Sequence, residues 1–219
     1  ELSQYLISGT LSGVVGNDVG RMVAFSPGWL ENQSVWLHMS YKYYLELLRG
    51  GLFAEFWEEA KTGLTIFMDP KQYARSPLEC ASFIASSAHM DKSIHGTGFL
   101  ARLSGSTAEF LSIWHVMMYG RNPFFIDEEG ELALELTPAL PSWLFDDESK
   151  VTFRFMGHVD VTYYNYAGID TWDATSRAYT LVFTDGSKIT LGGGHISAPY
   201  AEQVRSLSDV KAIEVMLTP

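Results

Sequence analysis

The hydrophobic period of this chain changes once, at Asn122-Pro123, and that change restricts its fold more than any other feature. From about residue 34 to about residue 120, apolar residues recur at helical spacing; beyond Pro123 they alternate with polar ones. A pattern of period 3.6 buries one face of a helix and a pattern of period 2 buries one face of a sheet, so neither segment can adopt the other's structure. Helices first and strands second predict α+β by segregation, and 219 residues suffice for two such parts, 1–127 and 128–219.

In the helical part, Ser34 can cap a run through Leu48 that Gly50-Gly51 ends. Leu52 to Lys61 forms a second amphipathic run, stopped by Gly63. Ser76-Pro77-Leu78-Glu79 has cap, N1 proline and N3 glutamate in order and predicts a helix to about Ala88. Ser106-Thr107-Ala108-Glu109 repeats that logic for a helix ending near Gly120. Such helices joined by loops fit a portion of an α/α barrel. In the second part, Leu132, Leu134 and Leu136 alternate with polar or small residues, as do Val151, Phe153 and Phe155, then Val159, Val161 and Tyr163. Tyr179, Leu181 and Phe183 lead to the turn Asp185-Gly186, after which Ile189 and Leu191 return, and Ala212 to Leu217 reads as a last strand. Short strands separated by turns predict an antiparallel β-sandwich.

The formal charge of −11, with no basic stripe, argues against nucleic acid as a partner. No apolar run has the length of a membrane span and no signal-peptide pattern is present. With Cys80 as the single cysteine, a reducing, cytoplasmic setting is expected. The histidines other than His38, at 89, 95, 115, 158 and 195, show no metal-ligand spacing, so neither metal nor cofactor is expected. His95-Gly96-Thr97-Gly98 reads as a flexible loop that either borders a site or lies on the surface. Asp146-Asp147 and Glu128-Glu129 read as solvated turns. The chain opens at Glu1 and not at a methionine, which leads to the expectation of a segment of a longer polypeptide.

Two runs carry chemistry. Phe25-Ser26-Pro27-Gly28-Trp29-Leu30-Glu31-Asn32 is followed by His38, and Arg102-Leu103-Ser104-Gly105-Ser106-Thr107-Ala108-Glu109 reads as a loop turning into a helix N-terminus. Unpaired N–H groups at such a terminus favour an anion, and a histidine can stand beside it. Aromatic residues make up 14% of the chain, which serves either a heavily aromatic core or the apolar faces of sugar rings.

The first run resembles the Phe-x-Pro-Gly-x-x-Glu-Asn signature, with a downstream histidine, of the cellobiose and chitobiose phosphorylases (glycoside hydrolase family 94 and relatives such as the β-glucan phosphorylases). It stands here as Phe25, Pro27, Gly28, Glu31, Asn32 and His38. Leu103-Ser104-Gly105-Ser106-Thr107-Ala108 is similar to that family's Leu-Thr-Gly-Thr-Ala-Ala, and Pro138-Ala139-Leu140-Pro141-Ser142-Trp143 to its crossing into a C-terminal β domain. The resemblance covers roughly residues 21 to 165. It implies the C-terminal segment of an inverting phosphorylase of β-linked gluco-oligosaccharides, with an (α/α)6 barrel followed by a β-sandwich. Inorganic phosphate would be co-substrate, attacking the anomeric carbon with inversion while a carboxylic acid protonates the leaving oxygen. It further implies phosphate binding by His38, Ser104 and Gly105, substrate contacts at Trp29, Glu31, Asn32 and Arg102, and a general acid outside this segment, in the remaining N-terminal part of the enzyme. A homodimer is left open.

The chain departs from the family where Ala85 stands near the place of a phosphate-binding glutamine, so Ser86 or Ser87 would have to substitute, and where Met39-Ser40-Tyr41-Lys42 replaces Thr-x-x-Trp. Two other classes stay open: an inverting hydrolase using water and a carboxylate base, and a non-catalytic carbohydrate-binding or structural segment. His38 itself has a second reading, as a histidine satisfied on an apolar helix face.

Overall fold

The computed structural model describes residues 24–100 and 104–219. They combine helices with mainly antiparallel sheets, an α+β architecture, and the chain divides into two compact units on either side of Trp114 and His115.

The first unit contains β1 (Val35–Trp36), α1 (Leu37–Arg49), α2 (Phe53–Gly63), α3 (Pro70–Tyr73), β2 (Phe83–Ile84), β3 (Gly98–Phe99) and the start of α4 (Ser104–Tyr119). α1 buries Leu37, Tyr41, Tyr44, Leu45 and Leu48, the stripe that helical spacing demands. It stops at Gly50-Gly51, where Gly51 takes a φ of +74°. α2 lies against α1 through Gly63, where a β-carbon would fall 1.9 Å from the Tyr44 hydroxyl. The buried Tyr41 hydroxyl accepts from the Thr65 N–H at 3.1 Å. Burial holds its pKa well above the ordinary tyrosine value.

The helix expected from Ser76 to Ala88 does not form. Ser76 caps only a turn, and the chain then extends into β2, the centre of a three-stranded antiparallel sheet in the order β1-β2-β3. The cause is competition for backbone groups. The Tyr73 hydroxyl donates to the Glu79 carbonyl at 2.6 Å and accepts from the Ala81 N–H at 2.8 Å. The Ser82 and Ala85 N–H groups bond to Phe99 and Thr97 across the sheet. No helical ladder survives those commitments, whatever the local capping pattern favours. A smaller correction concerns α4, which begins at Ser104 and not at Ser106, so that Ser106 is a buried residue within the helix.

In the second unit, α4 ends at Gly120 (φ +87°), whose bare Cα lies against Thr137. A ribbon of β4 (Phe124–Ile126) and β5 (Leu132–Leu134) follows. Then come β6 (Lys150–Phe155), β7 (Val159–Tyr164), β8 (Ser176–Phe183), β9 (Lys188–Leu191), α5 (Tyr200–Arg205) and β10 (Val210–Thr218). The last strand does not add to an edge: the five-stranded sheet has the order β6-β7-β10-β8-β9. β10 runs parallel to β7 and antiparallel to β8, so the sheet is mixed where a purely antiparallel one was expected. The return through α5 delivers β10 into the middle of the sheet, and that crossover permits a parallel pairing. Phe153, Phe155, Val159, Val161, Tyr163, Tyr179, Leu181, Ile213, Val215 and Leu217 form the buried face. Across the other face, one register row reads Thr152, Thr162, Glu214, Thr180, Thr190. Among the described residues no helix is long and apolar enough to cross a membrane.

Candidate functional site

The loop from Phe25 to Gln33 is tied to itself. The Asn32 side-chain amide donates to the Phe25 carbonyl at 2.7 Å. The Gly28 and Trp29 N–H groups share the Asn32 carbonyl, and the Asn32 N–H returns to Trp29. Ser34 Oγ and the Trp36 indole both donate to the Leu30 carbonyl. Leu30 and Gln33 are held at positive φ, a conformation that non-glycine residues keep only where neighbours impose it. The Trp29 ring meets Phe83 at 5.1 Å and Phe99 at 4.5 Å, both edge-on. Trp29 and Asn32 therefore build the loop, and Glu31 is half-buried within it.

That loop delivers the chain into α1, whose N-terminus is fixed to β2 by the Leu37 N–H donating to the Ser82 carbonyl at 3.3 Å. His38 is the second residue of α1 and Gly105 the second of α4. The two meet: a β-carbon on Gly105 would lie 2.6 Å from both Cε1 and Nδ1 of the His38 ring. Glycine is what allows this approach. The opposite ring nitrogen, Nε2, lies 3.5 Å from Glu109 Oε1, with the two side chains 33% and 21% exposed. Neither helix carries an acidic residue in its first turn. Ser104 opens α4, but its side chain lies outside the described residues, as does the whole of Arg102.

The structure thus brings His38 and Gly105 together and adds Glu109, which sequence reasoning had used only as the last residue of a capping box. The signal was the spacing of four from Gly105, which places both on one helix face. The proposed substitutes for a glutamine at Ala85 divide. The Ser86 hydroxyl is buried and donates to the Gln33 carbonyl at 2.5 Å, while Ser87 is exposed. His95 Nε2 lies 2.7 Å from the His89 carbonyl, a contact that fastens its loop. Asp146 accepts from the Glu148 and Lys150 N–H groups at 3.0 and 2.8 Å and so shapes a turn. Among the described residues no group of three or more His, Cys, Asp or Glu side chains could hold a metal ion.

No protein-family model matches the chain, and no curated protein is significantly similar to it. An imidazole, a carboxylate and two helix N-termini can together hold an oxyanion or orient a water molecule.

Proposed function

We propose that the chain is the C-terminal part of an inverting glycoside phosphorylase that cleaves β-linked gluco-oligosaccharides with inorganic phosphate, giving α-glucose 1-phosphate. In this reading residues 1–127 belong to an (α/α)6 barrel, residues 128–219 form a β-sandwich domain, and the enzyme is cytoplasmic. The observation that carries the reading is the packing of His38 on Gly105, which joins two distant motifs that each match a phosphate-contacting position. A second feature supports it. From Phe110 to Tyr119 α4 is mostly apolar, and Leu111 and Trp114 are exposed, as they would be on a helix of an incomplete ring.

The chemistry follows from charge. Phosphate arrives as an anion, so the site needs donors and no base: His38, the Gly105 N–H and the Ser104 hydroxyl would take its oxygens, leaving one free to attack the anomeric carbon. The proton for the leaving oxygen comes from an acid that this reading places elsewhere in the enzyme. Loss of one charge-assisted hydrogen bond costs about 1.5–3 kcal/mol, so His38→Ala should weaken phosphate binding roughly ten- to a hundredfold. Phosphate titration of the complete enzyme by 31P NMR reads this directly. Unchanged affinity in a folded His38→Ala protein removes the assignment.

Glu109 favours a second reading. A carboxylate beside His38 could activate water, which would make the enzyme a hydrolase on the same scaffold. Turnover of cello-oligosaccharides by the complete enzyme decides: strict dependence on phosphate supports phosphorolysis, and turnover in its absence supports hydrolysis.

Either way the β part carries no catalytic group. Asp146→Asn keeps a side-chain oxygen for the turn, and turnover should stay within a few-fold of wild type. A loss above about a hundredfold, about 2.7 kcal/mol of transition-state stabilisation, would relocate the chemistry.

A further inference from the structure

Resting on the phosphate reading, we infer that Glu109 makes this site selective for an oxyanion that still carries a hydrogen, phosphate over sulfate. A β-carbon on Gly105 would sit over the face of the His38 ring, above its Nδ1–Cε1 bond. An anion therefore cannot stack on that face and must bond the ring in its plane, in this reading at the Nε2 edge. Glu109 Oε1 stands at that same edge, 3.5 Å away. This is longer than an ordinary N–H···O bond, so the pair is a loose contact between partly exposed groups that a ligand can enter. Two neighbouring oxygens of one tetrahedral anion can then face both groups at once, one accepting from Nε2 and the other lying against the carboxylate.

The carboxylate decides what that second oxygen must be. An ionised glutamate only accepts hydrogen bonds. Phosphate at neutral pH retains at least one hydrogen and can donate it to Oε1, which turns a repulsive contact into a charge-assisted hydrogen bond. Sulfate has none, so its lone pairs confront those of the carboxylate without compensation. The two helix N-termini attract both anions alike and do not discriminate. Selectivity of this kind rests on a repulsive element aimed at the wrong ligand.

The test is a pair of titrations of the complete enzyme, inorganic phosphate followed by 31P NMR and sulfate by calorimetry, at neutral pH and constant ionic strength. Wild type should bind phosphate at least tenfold more tightly than sulfate. Glu109→Gln offers an amide that donates to either anion, so the ratio should fall toward unity, mainly through gained sulfate affinity. Glu109→Asp should keep the preference, and it serves if the glutamine variant does not fold. Equal binding of both anions by wild type overturns the inference and leaves the phosphate site standing. So does an undiminished ratio in a folded Glu109→Gln protein. Binding of neither anion to wild type overturns the phosphate reading itself, and the inference with it.

Discussion

Alanine in place of Gly28 should destabilise the first unit by about 2–4 kcal/mol, from two additive causes. Gly28 has a φ of +80°, where a residue with a β-carbon pays a steric penalty of about 1–2 kcal/mol. The added carbon would also fall 2.4 Å from the His89 backbone nitrogen and 2.9 Å from its Cα. Backbone cannot rotate away as a side chain can, so the loop or the 86–89 segment must move. Either movement strains the bond from the Ser86 N–H to the Gly28 carbonyl, 3.2 Å long. Gly51→Ala is the internal control: its φ is +74°, yet a β-carbon there meets nothing within 4 Å. That variant should cost only about 1–2 kcal/mol. Urea unfolding followed by tryptophan fluorescence compares the two. Equal costs would show that the close approach to His89 contributes nothing, and that loop and strand are not held together as described.

What could be read from sequence alone depended on how local the deciding interactions were. α1 and α2 were legible because their buried faces follow helical spacing and glycines end both runs. The hairpin of β8 and β9 was legible because Asp185-Gly186 fixes its own turn, with Gly186 at a φ of +87°. β2 was not. A strand of two residues has no period, and Ser76-Pro77-Leu78-Glu79 satisfies every local rule for a helix start while Tyr73 takes the backbone groups from outside. The central place of β10 was illegible for a related reason: alternation tells which face is buried but not which strand is the neighbour. At the site, the contact of His38 with Gly105 was reachable only through a resemblance that pairs the two motifs. No spacing within either run announces the other. Glu109 was hidden because its capping role explained it sufficiently.

Phe83→Ala should be the most damaging single substitution in the first unit, at about 3–5 kcal/mol. Its ring is 1% exposed and stands at the centre of an aromatic cluster: edge-on to Trp29 at 5.1 Å, stacked on Trp36 at 5.8 Å and on Phe99 at 5.5 Å. Removing it leaves a cavity bordered by three rigid rings that cannot collapse into the space. The same residue pairs with Trp36 and Phe99 in the sheet register. Its neighbour Ser82 holds the first N–H of α1. The cluster therefore fixes the Trp29 loop and the start of α1 at once, and through them the aim of His38 at Gly105. Phe83→Leu keeps most of the volume and should cost about 1.5 kcal/mol. If the cluster positions the site, phosphate affinity of the folded proteins should fall in the order wild type, Phe83→Leu, Phe83→Ala. Measured where all three remain folded, that order separates positioning from bulk stability. An alanine variant that unfolds at the wild-type midpoint would mean that the rings touch without holding anything. One that is destabilised yet binds phosphate normally would mean that His38 takes its aim from α4 alone.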